Sequence, residues 1–362
     1  MTYASNLMRM ASAAALCAGV MFGGAESAFA QEYNLKFASY IGQGAAQSKA
    51  QEWWAQEVEK RTDGRVKVKF FYQGALLPAA DIMPGIAEGR ADLGYTAPAY
   101  HPAEMPLSSV AGVPFITSNA EAQMKTFYEL YERNEAFRAE WQKQGVHVLF
   151  VNPLSENIVG MVEPTKTAED FKGKSIRGLG YINQVLEIIG ANPVAIAAPE
   201  IYEALQRKTI DGYSGFAFEV VTALKLHEVA PHTIATGTGN YVFAVTPITM
   251  TLWESMPEDI KKVLTDVSLE YQTKIVEILR ETEDEVCKAI KDSGGTVSVL
   301  SDADVESIRT QVGEQINDKW VADATARGVD AAAFFKDYRE TLAKYEKEAT
   351  YVSGVKRCAE AG

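Results

Sequence analysis

Histidine and cysteine are scarce in this chain of 362 residues, with four of the first and three of the second. His101, His147, His227 and His232 form no H-E-x-x-H or comparable spacing, and the cysteines suit no metal site. No metal and no cofactor are therefore expected. Positive charge is also short: 35 Lys and Arg stand against 48 Asp and Glu, a formal net charge of −13. No block of like charge is long enough to form a tail, and such a chain repels nucleic acid and anionic membrane surfaces. An acidic protein binds an anion only at a local basic spot, so the place of each arginine matters. No G-x-S-x-G stands beside a plausible triad, and Cys287 lies in an amphipathic stretch rather than at a nucleophile's turn. The glycine-rich Thr236-Gly237-Thr238-Gly239 lacks the Lys-Ser/Thr of a phosphate cradle. Beyond the first thirty residues no apolar run approaches the length of a transmembrane helix.

The N-terminus carries a secretory leader. One positive charge, Arg9, precedes an apolar stretch through Ala15, Leu16, Val20, Met21 and Phe22, which ends in Ala28-Phe29-Ala30. The small-x-small ending places cleavage after Ala30, and the run is too short to span a bilayer. Cys17 raises a lipoprotein signal as a competing reading, but bulky Leu16 stands where that cleavage wants a small residue. An exported, periplasmic protein is the expectation. In that oxidising compartment Cys287 and Cys358 form a disulfide pinning the C-terminal tail, or remain two free thiols.

Roughly 330 residues remain, more than one compact core usually holds, which predicts two lobes. The hydrophobic pattern alternates between strand and helix. Strands are expected over 35–40, 66–71, 92–96, 147–151, 175–179 and 193–196, with a long β-prone run over 241–251. Helices are expected over 46–61, 81–89, 119–144 and 200–207. A continuous apolar stripe from Ile260 to Ile290 predicts one helix over 257–292, on the order of 50 Å long, ended by Gly294-Gly295. Alternation of this kind implies α/β layers with largely parallel strands, in which ligands bind beyond the carboxyl ends of strands. Tyr40, Thr96 and residues 152–157 occupy such ends.

Several short motifs then recur in a fixed order: Thr62-Asp63-Gly64-Arg65, Gly89-Arg90-Ala91-Asp92 and the run Phe171-Lys172-Gly173-Lys174-Ser175-Ile176-Arg177. Gly190-Ala191-Asn192-Pro193, then Glu200 with Tyr202 and Ala204-Leu205-Gln206, and finally Asp211-Gly212 follow. In this order and spacing the set resembles the DctP family, the solute-binding subunits of tripartite ATP-independent periplasmic (TRAP) transporters. The resemblance runs from about Leu35 to the long helix. It implies a Venus-flytrap fold of two α/β lobes, a ligand cleft between them, and a long helix crossing both. One lobe is expected from residues 31–152 plus about 242–280, the other from about 153–241 plus about 281–350, with 236–239 as a crossover. The resemblance also implies membrane subunits of a transporter as partners, and an arginine that pairs with a small organic anion.

Arg177 fills that arginine's place, and its paired N–H donors match the two oxygens of a carboxylate. The departures from the family pattern point to the ligand. Asn157 stands where sugar-acid binders tend to place a second arginine, and Gly215 stands where they carry an amide. Tyr40, Tyr100 and Tyr181 replace polar or small residues. Bulk and π-surface in place of hydrogen-bonding capacity suit an aromatic or weakly hydroxylated monocarboxylate, such as a benzoate-type acid. A short 2-oxo or 2-hydroxy acid, held by Arg177, Asn157 and Tyr213, is the runner-up. Glu219, beside Phe216 and Phe218, is a further candidate for a ligand hydroxyl or ammonium. Two other roles stay open: an exported enzyme acting on a small carboxylic acid through Glu156 and Glu219, and a binding protein that feeds a membrane sensor. No catalytic residue is assigned.

Overall fold

A computed structural model describes residues 32–196 and 198–361. The leader and its cleavage point after Ala30 lie outside the described residues. Eleven described strands form two sheets. In the first, β1 (Tyr33–Ser39) is flanked by β2 (Val66–Phe71) and β3 (Leu93–Tyr95), followed by β10 (Ala244–Thr249) and β4 (Val146–Asn152). In the second, the order is β11 (Thr296–Val299), β9 (His232–Ala235), β5 (Asn157–Met161), β8 (Gly212–Ala217), β6 (Ser175–Arg177) and β7 (Asn192–Val194).

Each sheet contains one strand that runs against its neighbours. β5 pairs antiparallel with β8 and β9, and β10 pairs antiparallel with β3 and β4. Both arrive directly from the other sheet, β5 from β4 and β10 from β9. The chain therefore crosses between sheets at residues 153–156 and again at 236–243. Successive residues of β5 point to opposite faces. Ile158 accordingly joins one apolar cluster and Val159 the other, so the second sheet is covered on both sides.

The helix Glu258–Asp292 joins the lobes a third time, with Pro257 at its N-cap and Gly294 and Gly295 just beyond its end. Its N-terminal two-thirds buries Ile260, Leu264, Val267, Tyr271 and Ile275 in the core that surrounds the first sheet. Val286 and Ile290 enter the second core. One apolar stripe thus serves two cores, which is why the helix runs to 35 residues. No helix among the described residues is long and apolar enough to cross a membrane.

Three expectations change. The helix expected over 119–144 is two, Ala120–Arg133 and Glu135–Lys143. Asn134 separates them with an extended backbone (φ −96°, ψ 108°), while its side-chain oxygen accepts from the Phe137 amide at 3.0 Å. A self-capping asparagine restarts the helix in a new direction. The β-run over 241–251 is a strand only at Ala244–Thr249, because Asn240 and Tyr241 are held in the crossing; the Asn240 amide donates to Thr117 O at 2.7 Å. The assignment of residues about 281–350 to the second lobe fails for the helix Ala331–Glu348. That helix packs on Ala120–Arg133: the Arg133 guanidinium grips Asp337 at 2.6 and 2.9 Å, and the Tyr338 ring lies 5.4 Å from Phe127. Cys287 and Cys358 are bonded, with Cα atoms 5.6 Å apart.

Candidate functional site

Arg177 is the last residue of β6, at the carboxyl end of a parallel strand, and only 2% of it is exposed. Its Nε donates to Ile196 O at 3.1 Å and Nη1 to Ser214 O at 3.0 Å. Its guanidinium carbon lies 4.8 Å from the centre of the Phe216 ring. No carboxylate among the described residues pairs with it, and burial pulls its pKa down. A cation taken out of water with part of its donor set unused is costly, and an incoming anion would offset that cost.

Gly215 makes room for this cation. Its φ of +80° is a left-handed conformation, and a Cβ there would sit 3.1 Å from Arg177 Nη1. The Gly215 amide donates to Asn157 Oδ1 at 2.9 Å, and its carbonyl accepts from the Tyr241 hydroxyl at 2.6 Å. Absence of a side chain at this position is thus a requirement of the guanidinium's seat as well as a lost amide.

Tyr40 follows β1, and its ring meets Tyr95 at 5.1 Å and Tyr100 edge-on at 5.4 Å. Tyr40 is half-buried and Tyr100 is 44% exposed, so this pair presents ring surface rather than core packing. Burial, reinforced by the neighbouring phenols, pushes the Tyr40 hydroxyl well up, and burial does the same for Tyr95 and Tyr241. All three stay neutral and can donate. Thr96 is fully buried beside Tyr95, and its Oγ1 has no partner among the described residues. Tyr95 and Tyr241 escaped the reading of the sequence. The available signal was that Tyr95 immediately precedes Thr96, and that Tyr241 lies two residues after Gly239 in the crossing.

Other candidates are placed elsewhere. The Asn157 amide is spent inside the protein, with Nδ2 donating to Ser214 Oγ and Thr238 Oγ1, each at 3.2 Å. It supports the Gly215 turn and is not free for a ligand. Tyr213 is fully buried over Gly160, its partner across β5 and β8; a Cβ on Gly160 would lie 2.1 Å from the Tyr213 ring. Phe218 lies in the second core. All three, expected in the ligand site, are packed within the protein, Tyr213 with its hydroxyl unpartnered among the described residues. Tyr181 is half-buried and separate from the Tyr40–Tyr100 pair, lining a cavity with Tyr241.

Three buried glutamates cluster around the crossings. Glu219 accepts from Gln47 Nε2 at 3.1 Å and from the Ser155 amide at 3.3 Å, and burial raises its pKa. Glu156 is wholly buried with Lys356 Nζ 4.0 Å away, and neither carboxylate oxygen has a hydrogen bond among the described residues. Glu283 accepts from the Tyr351 hydroxyl, the Gly354 amide and Arg357 Nη1. Burial outweighs these partners and pushes Glu283 up from 4.5 to about 7. The folded state therefore holds a proton up to about pH 7 that the unfolded chain releases near pH 4.5. Stability from this group is fully present below pH 4.5 and is lost as pH rises through 7. Urea titrations of wild type and Glu283→Gln at pH 5 and pH 8 are expected to differ in slope. Wild type loses on the order of 1–3 kcal/mol more than the variant across that interval. Parallel pH profiles would place the Glu283 pKa near its ordinary value.

Two α/β lobes joined by two shared crossings and a bracing helix, with an unpaired buried arginine at the end of a parallel strand, define an extracytoplasmic binding protein of the flytrap class. Residues 37–322 match the bacterial extracellular solute-binding proteins of family 7, and the chain belongs to this DctP family. It is a solute-binding protein of the TRAP transporter type, for small organic acids. A TRAP periplasmic solute-binding protein from Desulfovibrio salexigens is 29% identical and superposes with a TM-score of 0.77 over 89% of this chain and 99% of that one. A TRAP solute-binding protein of a marine metagenome, specific for aromatic acid ligands and solved with 3-hydroxybenzoate, is 25% identical. Its TM-score is 0.75, over 87% of this chain and 99% of that one. The ectoine-binding periplasmic protein TeaA of Halomonas elongata is 24% identical over 92% of this chain and 96% of its own length. The family and these relatives are binding proteins rather than enzymes.

Proposed function

We propose that this protein captures a small aromatic monocarboxylate, of which benzoate is the simplest, and delivers it to the membrane subunits of a TRAP transporter after export and cleavage of its leader behind Ala30. The observation that carries this reading is the buried Arg177 guanidinium, unpaired by any carboxylate among the described residues, with aromatic rings nearby. A carboxylate would take the free N–H donors bidentately. Phe216, Tyr241, Tyr40 and Tyr100 would then supply ring contacts. A hexuronate carries many hydroxyls, each costing about 1–3 kcal/mol when desolvated without a partner, and Gly215 and the committed Asn157 amide leave few partners. The committed Asn157 amide also disfavours a short 2-oxo or 2-hydroxy acid, which would need that amide as a partner. The aromatic-acid specificity of the metagenomic relative agrees with this reading.

Thermal melts of the mature protein with substituted benzoates, short oxo acids and hexuronates test it. An acid at one hundred times its Kd stabilises the folded state by about 2.7 kcal/mol. Benzoates are expected to raise the melting temperature and to be recovered unchanged. Stabilisation by hexuronates and none by aromatic acids would overturn the proposal, and turnover of the acid would indicate an enzyme.

A further inference from the structure

A cavity of about 360 Å³ opens between the lobes beside Arg177, lined among others by Pro98, Gly112, Leu179, Tyr181, Tyr241 and Phe243. No charged residue lines it. Arg177 itself does not line it, but Leu179, two residues further along, does. A Cβ on Gly215 would lie within 4 Å of both Arg177 Nη1 and the Leu179 amide, so the wall of the cavity and the seat of the guanidinium share one stretch of backbone. Tyr241 spans the space between. Its hydroxyl is bound to Gly215 O, beside Arg177, while its own carbonyl lies 3.7 Å from where a Cβ on Gly112 would stand, at the far wall.

Tyr241 thus has its hydroxyl end toward Arg177 and its backbone carbonyl at the Gly112 wall. A tyrosine is a ring on a carbon stem, and it reaches from the guanidinium's neighbourhood to the Gly112 wall. A molecule lying alongside it with its carboxylate on Arg177 needs both a ring and a stem to reach the same wall. Benzoate has only the ring and leaves the far part of the cavity to water.

We propose, resting on the aromatic-acid reading above, that this cavity receives the apolar body of the ligand. The preferred ligands are then arylalkanoates, whose ring is set two or so methylenes away from the carboxylate. Each methylene moved from water into an apolar site tightens binding about fourfold. Benzoate, phenylacetate, 3-phenylpropanoate and 4-phenylbutanoate titrated calorimetrically into the full mature chain are expected to tighten in that order as far as phenylpropanoate. The gain should stop or reverse with the fourth. Gly112→Leu would fill the far wall: a Cβ there meets only ordinary contacts, 3.6 Å from the Tyr181 ring. It is expected to weaken phenylpropanoate at least tenfold more than it weakens benzoate. Benzoate binding tightest of the four, or equal losses for both acids in the variant, would overturn the inference and leave the aromatic-acid reading standing. Binding of none of the four would overturn both. The titration series on the unaltered chain decides the matter even if the variant does not fold.

Discussion

Arg177→Ala is expected to weaken binding of an aromatic monocarboxylate by at least about 2 kcal/mol while leaving the ligand-free protein as stable as before, or slightly more so. Both halves follow from one arrangement. Arg177 is 2% exposed, donates to two backbone carbonyls at 3.1 and 3.0 Å, and meets no carboxylate among the described residues. The ligand-free state therefore bears a desolvated cation compensated only by carbonyl dipoles and the face of Phe216. Truncation removes that burden from the empty protein and removes the guanidinium proposed to meet the bound anion. Arg177→Lys keeps a charge without the planar fork and is expected to fall between. Calorimetric titration reads the affinity, and thermal melting of the empty variants reads the stability. Unchanged affinity for the alanine variant would remove Arg177 from the site. A melting temperature that collapses would make it a structural residue instead.

Replacing both Cys287 and Cys358 by serine is expected to cost about 4 kcal/mol of folding stability, through the entropy of the loop that their bond closes. The two residues are 71 positions apart, and Cys358 is buried against the second core. Between them, the chain leaves the long helix, builds the edge strand β11 and returns by way of the helix Ala331–Glu348 on the first lobe. The tail beyond that helix touches three parts of the molecule. Glu121 accepts from the amides of Thr350 and Tyr351, Glu283 accepts from Gly354 and Arg357, and Lys356 reaches Ser118. Guanidinium unfolding of the oxidised protein and of the double-serine variant measures the difference. A loss below about 1 kcal/mol would show that these hydrogen bonds hold the tail without the covalent bond.

Much of the architecture was legible because it depends on near neighbours. The helix Ala46–Arg61 and the helix Glu258–Asp292 were expected within a residue or so of their observed ends, from apolar spacing and a following glycine. Where a local signal was overruled, a specific residue did it. Asn134 satisfies the backbone at Phe137 and breaks a stretch whose hydrophobic spacing is otherwise continuous. The helix Ala331–Glu348 has an ordinary amphipathic sequence, and nothing in it states that Asp337 will meet Arg133 of the first lobe.

The site divides in the same way. Arg177 was identifiable because its neighbours in sequence carry a family pattern, and Gly215 because it departs from one. The internal partners of Asn157 were not legible because a polar residue at the start of a strand looks the same whether its amide faces a ligand or its own protein. Its partners Ser214 and Thr238 are 57 and 81 residues away, brought close only when β5 pairs with β8 and β9. Tyr213 turned inward because the register sets it opposite Gly160, the one neighbour with no side chain to exclude its ring.

By itself, then, the sequence determined the class of protein, the alternation of elements and the length of the bracing helix, and it pointed to Arg177 as the cation proposed for the ligand. Each of these is written in local periodicity or in a contiguous motif. Only the tertiary structure decided that Cys287 and Cys358 are joined, that Asn157 and Tyr213 are packed within the protein, and that Tyr241 stands between the arginine and an apolar cavity. Those outcomes depend on strand register and on crossings between lobes, where residues far apart in the chain compete for the same hydrogen bonds and the same volume, and no local pattern records which of them wins.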